Sequence, residues 1–416
     1  MTVQVRRAAR LTVAALLLVG GTGVLPSPPA RAGAGTPGAV NRIAVARYAV
    51  AEPPGLPQVT NGTCVGESPT VAQHTPWALG RTAPTDVWPL SSGEGVLVAV
   101  VDTGVSAAAS GLTGAVRRGT DVVRGGRADQ DCIGRGTALA GIVAARPVTG
   151  SVFVGVAPGA TVLPIRIVDG RGEVATGAIA AGIRAATAAG VDVILLGVGT
   201  PEPDAELRAA VRAAVARDIV LVASVSDVKP STTGQPPPPW YPAADRNVLA
   251  VGGINSKGVP TEKSPAEAGV DLLAPAEGAV SVAPRGTGHF AVGGPAVAAA
   301  YVAGAAALVR AYHPRLSEAE VRRRLELTAE HPLGEWPAPG VGYGTLDLYG
   351  AMTVLDLADT PRSVEQAAFV PIPARAPADP AKTVAGWVAA GIVGAAGVGY
   401  LSMLTVRSGR RRRWRP

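Results

Sequence analysis

Few residues in this chain are placed to do chemistry. The first is Asp102, which closes the apolar run Gly95–Asp102 and is followed by Thr103 and Gly104. A carboxylate in that setting stands at the C-terminal end of a buried strand, where open α/β sheets carry their sites. Histidine, the usual base at neutral pH, occurs only four times, as His74, His289, His313 and His331. No serine or threonine lies between Thr287 and Ser317, so that stretch offers no hydroxyl nucleophile. Cys64 and Cys132 are the only cysteines. Two cysteines without a histidine cluster do not make a zinc site, and no motif points to any other metal or cofactor. In an oxidising compartment the pair reads as a disulfide. Closing a loop of about 70 residues, it would stabilise the fold by roughly 4 kcal/mol in the chain-entropy picture. Two free thiols are the alternative.

The elements that must position these residues alternate along the chain. Gly95–Asp102, Thr161–Asp169, Val191–Val198, Asp218–Val225 and Asn247–Ile254 are near-continuous apolar runs, as expected of parallel strands buried on both faces. Between them Ala175–Ala189 and Asp204–Arg217 have helical composition, with Asp204 suited to an N-cap. Ala296–Tyr312 and Ser317–Ala329 read as two more helices, the second opening on a capping box. This β-α-β alternation predicts a doubly wound α/β sheet with right-handed crossovers and helices on both faces. Lys229–Pro242 reads as a stiff proline-rich surface loop.

Hydrophobic residues make up 47% of the 416, which excludes a disordered chain. Aromatics are only 4%, so Ala, Val, Leu and Ile must build the core. The net charge of +7 does not indicate nucleic-acid binding, because ten of the 38 basic residues sit in the two termini, where there is no acid. Removing them leaves 28 against 31 acidic residues. Residues 1–32 have the form of a secretory signal: Arg6, Arg7 and Arg10, the apolar run Leu11–Leu25, then Ala30-Arg31-Ala32 as a cleavage site. An uncleaved anchor is the alternative. Val384–Val406 is uncharged and long enough to span a bilayer, and the basic tail 407–416 would hold that end in the cytoplasm. A buried soluble helix is the alternative. The expected order is therefore signal (1–32), N-terminal extension (33–75), globular domain (76–358), Pro/Ala-rich linker (359–383), transmembrane helix (384–406) and tail (407–416), with the domain outside the cell membrane.

From Trp77 to Leu355 the chain resembles the subtilases, and within them the mycosins of actinobacterial type VII secretion. The segments Pro76–Val105, Asp131–Ala145, Gly293–Ala311 and Gly342–Met352 carry the resemblance. It implies a subtilisin-like fold and a site built from Asp, His and Ser in that chain order. Asp102 matches the first. The family's Gly-His-Gly-Thr appears as Gly134-Arg135-Gly136-Thr137, which puts Arg135 at the histidine position. A guanidinium stays charged and has no lone pair with which to take a proton. The family's Gly-Thr-Ser-x-Ala-x-Pro appears as Gly294-Pro295-Ala296-Val297-Ala298-Ala299-Ala300, which puts Ala296 at the serine position. Asp227 falls where the family has the oxyanion asparagine, and a carboxylate offers no donor there. Loss of serine or histidine costs about 10⁶ in turnover in subtilisin itself. The resemblance thus implies a pseudoprotease acting as a structural or interaction component among type VII secretion membrane proteins. The alternatives are an active serine endopeptidase using His289 as substitute base, and a module that holds secreted peptides in the old substrate cleft.

Overall fold

Five strands of the main sheet form inside the five apolar runs, each somewhat shorter than its run. The structure, a computed structural model, describes residues 52–59, 63–175, 177–202, 204–226, 239–261, 269–355 and 380–411. Seven strands, β1 (Leu97–Asp102), β2 (Thr120–Asp121), β3 (Thr161–Arg166), β4 (Val193–Leu196), β5 (Val220–Ser224), β6 (Leu249–Ile254) and β7 (Leu272–Pro275), pair in parallel in the order β2-β3-β1-β4-β5-β6-β7. The order reverses direction at β1, which pairs with β3 on one side and β4 on the other. A site at the carboxyl end of β1 therefore lies at the topological switch point of the sheet. β8 (Ala279–Val282) and β9 (His289–Val292) form a separate antiparallel pair.

Alternate residues of each strand feed two cores. Val98, Val100, Val193, Leu195, Val220 and Val222 face one side with α2 (Arg135–Ala144), α5 (Pro295–Tyr312), α6 (Glu318–Leu327) and α7 (Leu348–Thr353). Ala99, Val101, Ile194, Leu196, Leu221 and Ala223 face the other with α3 (Ala178–Ala188) and α4 (Ala205–Val215). A short helix, α1 (Trp77–Thr82), precedes the sheet. Asp204 caps α4 by accepting the Glu206 N–H at 2.9 Å, and Ser317 with Glu320 forms a reciprocal capping box on α6. The architecture is the subtilisin-like doubly wound sheet with helices on both faces.

α8 (Pro380–Arg411) includes Trp387–Ser408, a stretch long and apolar enough to cross a membrane. The same is true of Pro295–Tyr312 in α5, but that helix is buried in the core. The expected signal (1–32), most of the linker (359–383), most of the proline-rich loop and Asp227 lie outside the described residues. Of the extension 33–75, residues 52–59 and 63–75 are described, as an arm with little regular structure.

Candidate functional site

Asp102 is fully buried at the end of β1. Its Oδ1 accepts the Thr103 N–H at 2.8 Å and Nε–H of Arg135 at 2.9 Å. Oδ2 is buried and has no hydrogen-bond partner among the described residues. The neighbouring strand leaves room for this carboxylate because Gly197 follows β4. A Cβ there would stand 2.1 Å from Oδ2.

Arg135 opens α2, and the local sequence explains how it is aimed. Asp131, buried one turn earlier, accepts N–H bonds from Ile133 and Gly134 on one oxygen and from the N–H and hydroxyl of Thr137 on the other. Burial raises its pKa despite these donors. Gly134 supplies the left-handed turn into the helix (φ 86°). Gly136 packs against the loop after β1 so closely that a Cβ would meet the Gly104 carbonyl at 2.1 Å, and its N–H donates to Thr103 Oγ1 at 2.8 Å. Ser106 N–H donates to Thr137 Oγ1 at 2.9 Å. The loop that presents Asp102 and the turn that presents Arg135 are thus sewn together. Composition gave no hint of Asp131; a buried acid a few residues before a helix is a capping signal that could have flagged it.

Ala296 is the second residue of α5, behind Pro295 and Gly294 (φ 107°). Ala296, Val297 and Arg135 line one cavity of about 450 Å³, with Leu139, Val292 and arm residue Leu56 among its walls. The geometry therefore brings Asp102, Arg135 and Ala296 into one neighbourhood. A fixed cation held on a buried carboxylate can neutralise charge and order the cleft, but it cannot accept a proton.

His289 does not line that cavity. On β9 it is buried, and burial lowers its pKa to about 4. Its Nδ1 accepts the Ala72 N–H at 3.2 Å, so in the neutral ring the proton sits on Nε2. Nε2 faces Ser151 Oγ at 3.2 Å and donates to it, the reverse of what a base must do. Among the described residues no cluster of His, Cys, Asp and Glu could hold a metal. Cys64 and Cys132 form a disulfide, three residues before Arg135, and Val65 N–H donates to the Cys132 carbonyl beside it.

Residues 93–352 match the Subtilase family. The chain belongs to the subtilase family. This subtilase is 33% identical over 287 residues to the M-protease of Shouchella clausii, covering 68% of this chain and 70% of that protein. To Mycosin-4 of Mycobacterium tuberculosis it is 34% identical over 340 residues, covering 71% and 73%. It superposes on a solved structure of the serine protease MycP1, described as an essential component of the type VII (ESX-1) secretion system, with TM-score 0.63 at 28% identity, covering 73% of this chain and 96% of that one. A chain in the periplasmic assembly of the ESX-5 inner membrane complex matches with TM-score 0.64 at 28% identity, covering 79% and 94%. The subtilase is of the mycosin type.

Proposed function

We propose that this mycosin-type subtilase has no peptidase turnover and serves as a membrane-anchored structural or interaction subunit of a type VII secretion assembly. The observation that carries the proposal is the 2.9 Å contact between Arg135 and Asp102 beside a cavity whose wall includes the methyl of Ala296. In a working site of this kind a serine hydroxyl and an imidazole would be needed there. The partnership rests on likeness to MycP1 and to the chain of the ESX-5 assembly. In this view residues 1–32 are a signal, 76–358 the peptidase-like body outside the membrane, 359–383 a stalk, 384–406 the span and 407–416 a cytoplasmic tail. Two experiments test it. A fluorophosphonate probe applied to the purified full chain should leave no covalent label; labelling that denaturation abolishes would overturn the loss of turnover. Affinity capture from detergent-solubilised membranes should recover type VII secretion components, and recovery of none would remove the partnership. A second role, holding an extended peptide, is favoured by the cavity itself, which remains open beside the ion pair.

A further inference from the structure

The cavity beside Arg135 is closed on one side by the chain's own N-terminal arm. Gly55, Leu56, Pro57 and Gln58 form that wall. β9 pairs with β8 along one edge and with the arm along the other. Ala291 donates its N–H to the Pro54 carbonyl at 2.8 Å and accepts the Leu56 N–H at 2.9 Å, in parallel register. The Leu56 side chain seats itself against Gly134, where a Cβ would lie 3.2 Å from Leu56 Cδ1, and joins a small apolar cluster with Val65, Ala283 and Phe290. Eight residues later the disulfide fixes the arm to Cys132. Pro54, Gly55, Pro57 and Gln58 are exposed, so apart from Leu56 little apolar burial holds this stretch down.

We propose that residues 54–58 are a strap occupying an edge on which an extended polypeptide docks by strand addition to β9, with an aliphatic side chain entering the cavity in place of Leu56. The arm defines the partner's chemistry: it makes main-chain hydrogen bonds to Ala291 and presents one aliphatic side chain to a largely apolar cavity, and residues 54–58 carry no charge of their own toward Arg135 in its wall. The disulfide limits how far the strap swings and returns it to the edge at high local concentration. The proposal rests on taking the cavity as a polypeptide cleft, and it is independent of whether turnover is lost. Fluorophosphonate labelling would overturn the latter and leave the docking edge untouched.

The test uses the full chain in detergent and, as probe, a fluorescent synthetic peptide of residues 52–59, the sequence already seen to fit. Leu56→Gly should loosen the strap by removing its apolar anchor without adding charge beside Arg135, raising hydrogen exchange at the residue 56 and Ala291 amides by about tenfold or more while the β1 and β4 amides stay protected. That variant should bind the peptide at least about tenfold more tightly than the unaltered protein. Adding Ala291→Pro, which removes the β9 donor, should abolish the gain. Reduction of the disulfide with a phosphine followed by alkylation is a second way to loosen the arm. If a loosened strap gives no peptide binding, or if neither treatment raises exchange at Leu56 and Ala291, the arm is a fixed part of the fold and the proposal is wrong. A rise in exchange across the whole sheet would equally refute it, because the segment would then be a staple for the body.

Discussion

Arg135 Nε stands 2.9 Å from Oδ1 of Asp102, the carboxylate wholly buried and the guanidinium side chain about a third exposed (32%). Such a pair is weak evidence of net stability, because the carboxylate has left water entirely and the guanidinium in large part to form it. Its removal from one side is another matter.

Arg135→Met should therefore destabilise the body by about 2 kcal/mol, below the full effect of breaking a wholly buried pair because the guanidinium keeps solvent contact. Adding Asp102→Asn should recover a large part of that loss, since no unpaired carboxylate then remains. Urea denaturation of the four members of the cycle checks this; strictly additive effects would mean that the two groups are not coupled.

Gly197→Ala should cost about 2 kcal/mol by overpacking. The added methyl would meet both Asp102 Oδ2 and Leu139 Cδ1. The same substitution at Gly150, where nothing stands within 4 Å but φ is +85°, should cost only about 1 kcal/mol, from backbone strain alone. Thermal or chemical denaturation separates the two.

Acid should destabilise the protein through His289. Its folded pKa of about 4 lies below the unfolded value of 6.5, so the unfolded chain binds the proton first. The stability this residue contributes is present above pH 6.5 and is lost as the pH falls towards 4. Glu326 acts in the opposite sense: burial raises its folded pKa to about 7 from 4.5, so its contribution is present at pH 4.5 and lost as the pH rises through 7. His289→Asn should flatten the acid side of the stability curve, and Glu326→Gln the neutral side. Unfolding free energy measured between pH 4 and 8 reads both slopes.

Ala296→Ser alone should not confer reactivity, because Arg135 leaves the new hydroxyl without a base. Combined with Arg135→His it should label with fluorophosphonate about a hundredfold faster than the single variant. Turnover should stay about 10²- to 10³-fold short of a complete site until Asp227→Asn is added as well. Labelling of the single variant at the rate of the double one would show that some other group serves as base.

The parallel sheet was legible because strands buried on both faces have no polar register, and β1, β3, β4, β5 and β6 fall inside the apolar runs that announced them. α4 and α6 could be read from their caps, Asp204 and Ser317. α2 could not be read as a helix by periodicity: everything from Gly136 to Ala144 is buried, which leaves no polar face to set a period. β2, β7, β8 and β9 were not read: they are short, and their pairing depends on other segments of the chain. At the site, Arg135 and Ala296 were visible only through the resemblance to the family's motifs, whereas Asp102 was also marked by its place at the end of an apolar run. The capping by Asp131 and the wall built by Leu56 were invisible, since both arise only when separate segments meet. His289 was visible as a residue but not as the partner of Ala72 and Ser151, which lie 217 and 138 positions away in the chain.

The disulfide between Cys64 and Cys132 also has a mechanical consequence. A force applied to the first fifty residues passes along the arm to Cys64 and is transferred there, through a covalent bond, to the turn that carries Arg135. Beyond the arm's pairing with β9, tension from that end passes to the cap of α2 and not along the strands of the parallel sheet. A tug from the N-terminal side would load the pairing of Pro54 and Leu56 with Ala291 first, and only then, through the disulfide, the turn where Arg135 meets Asp102.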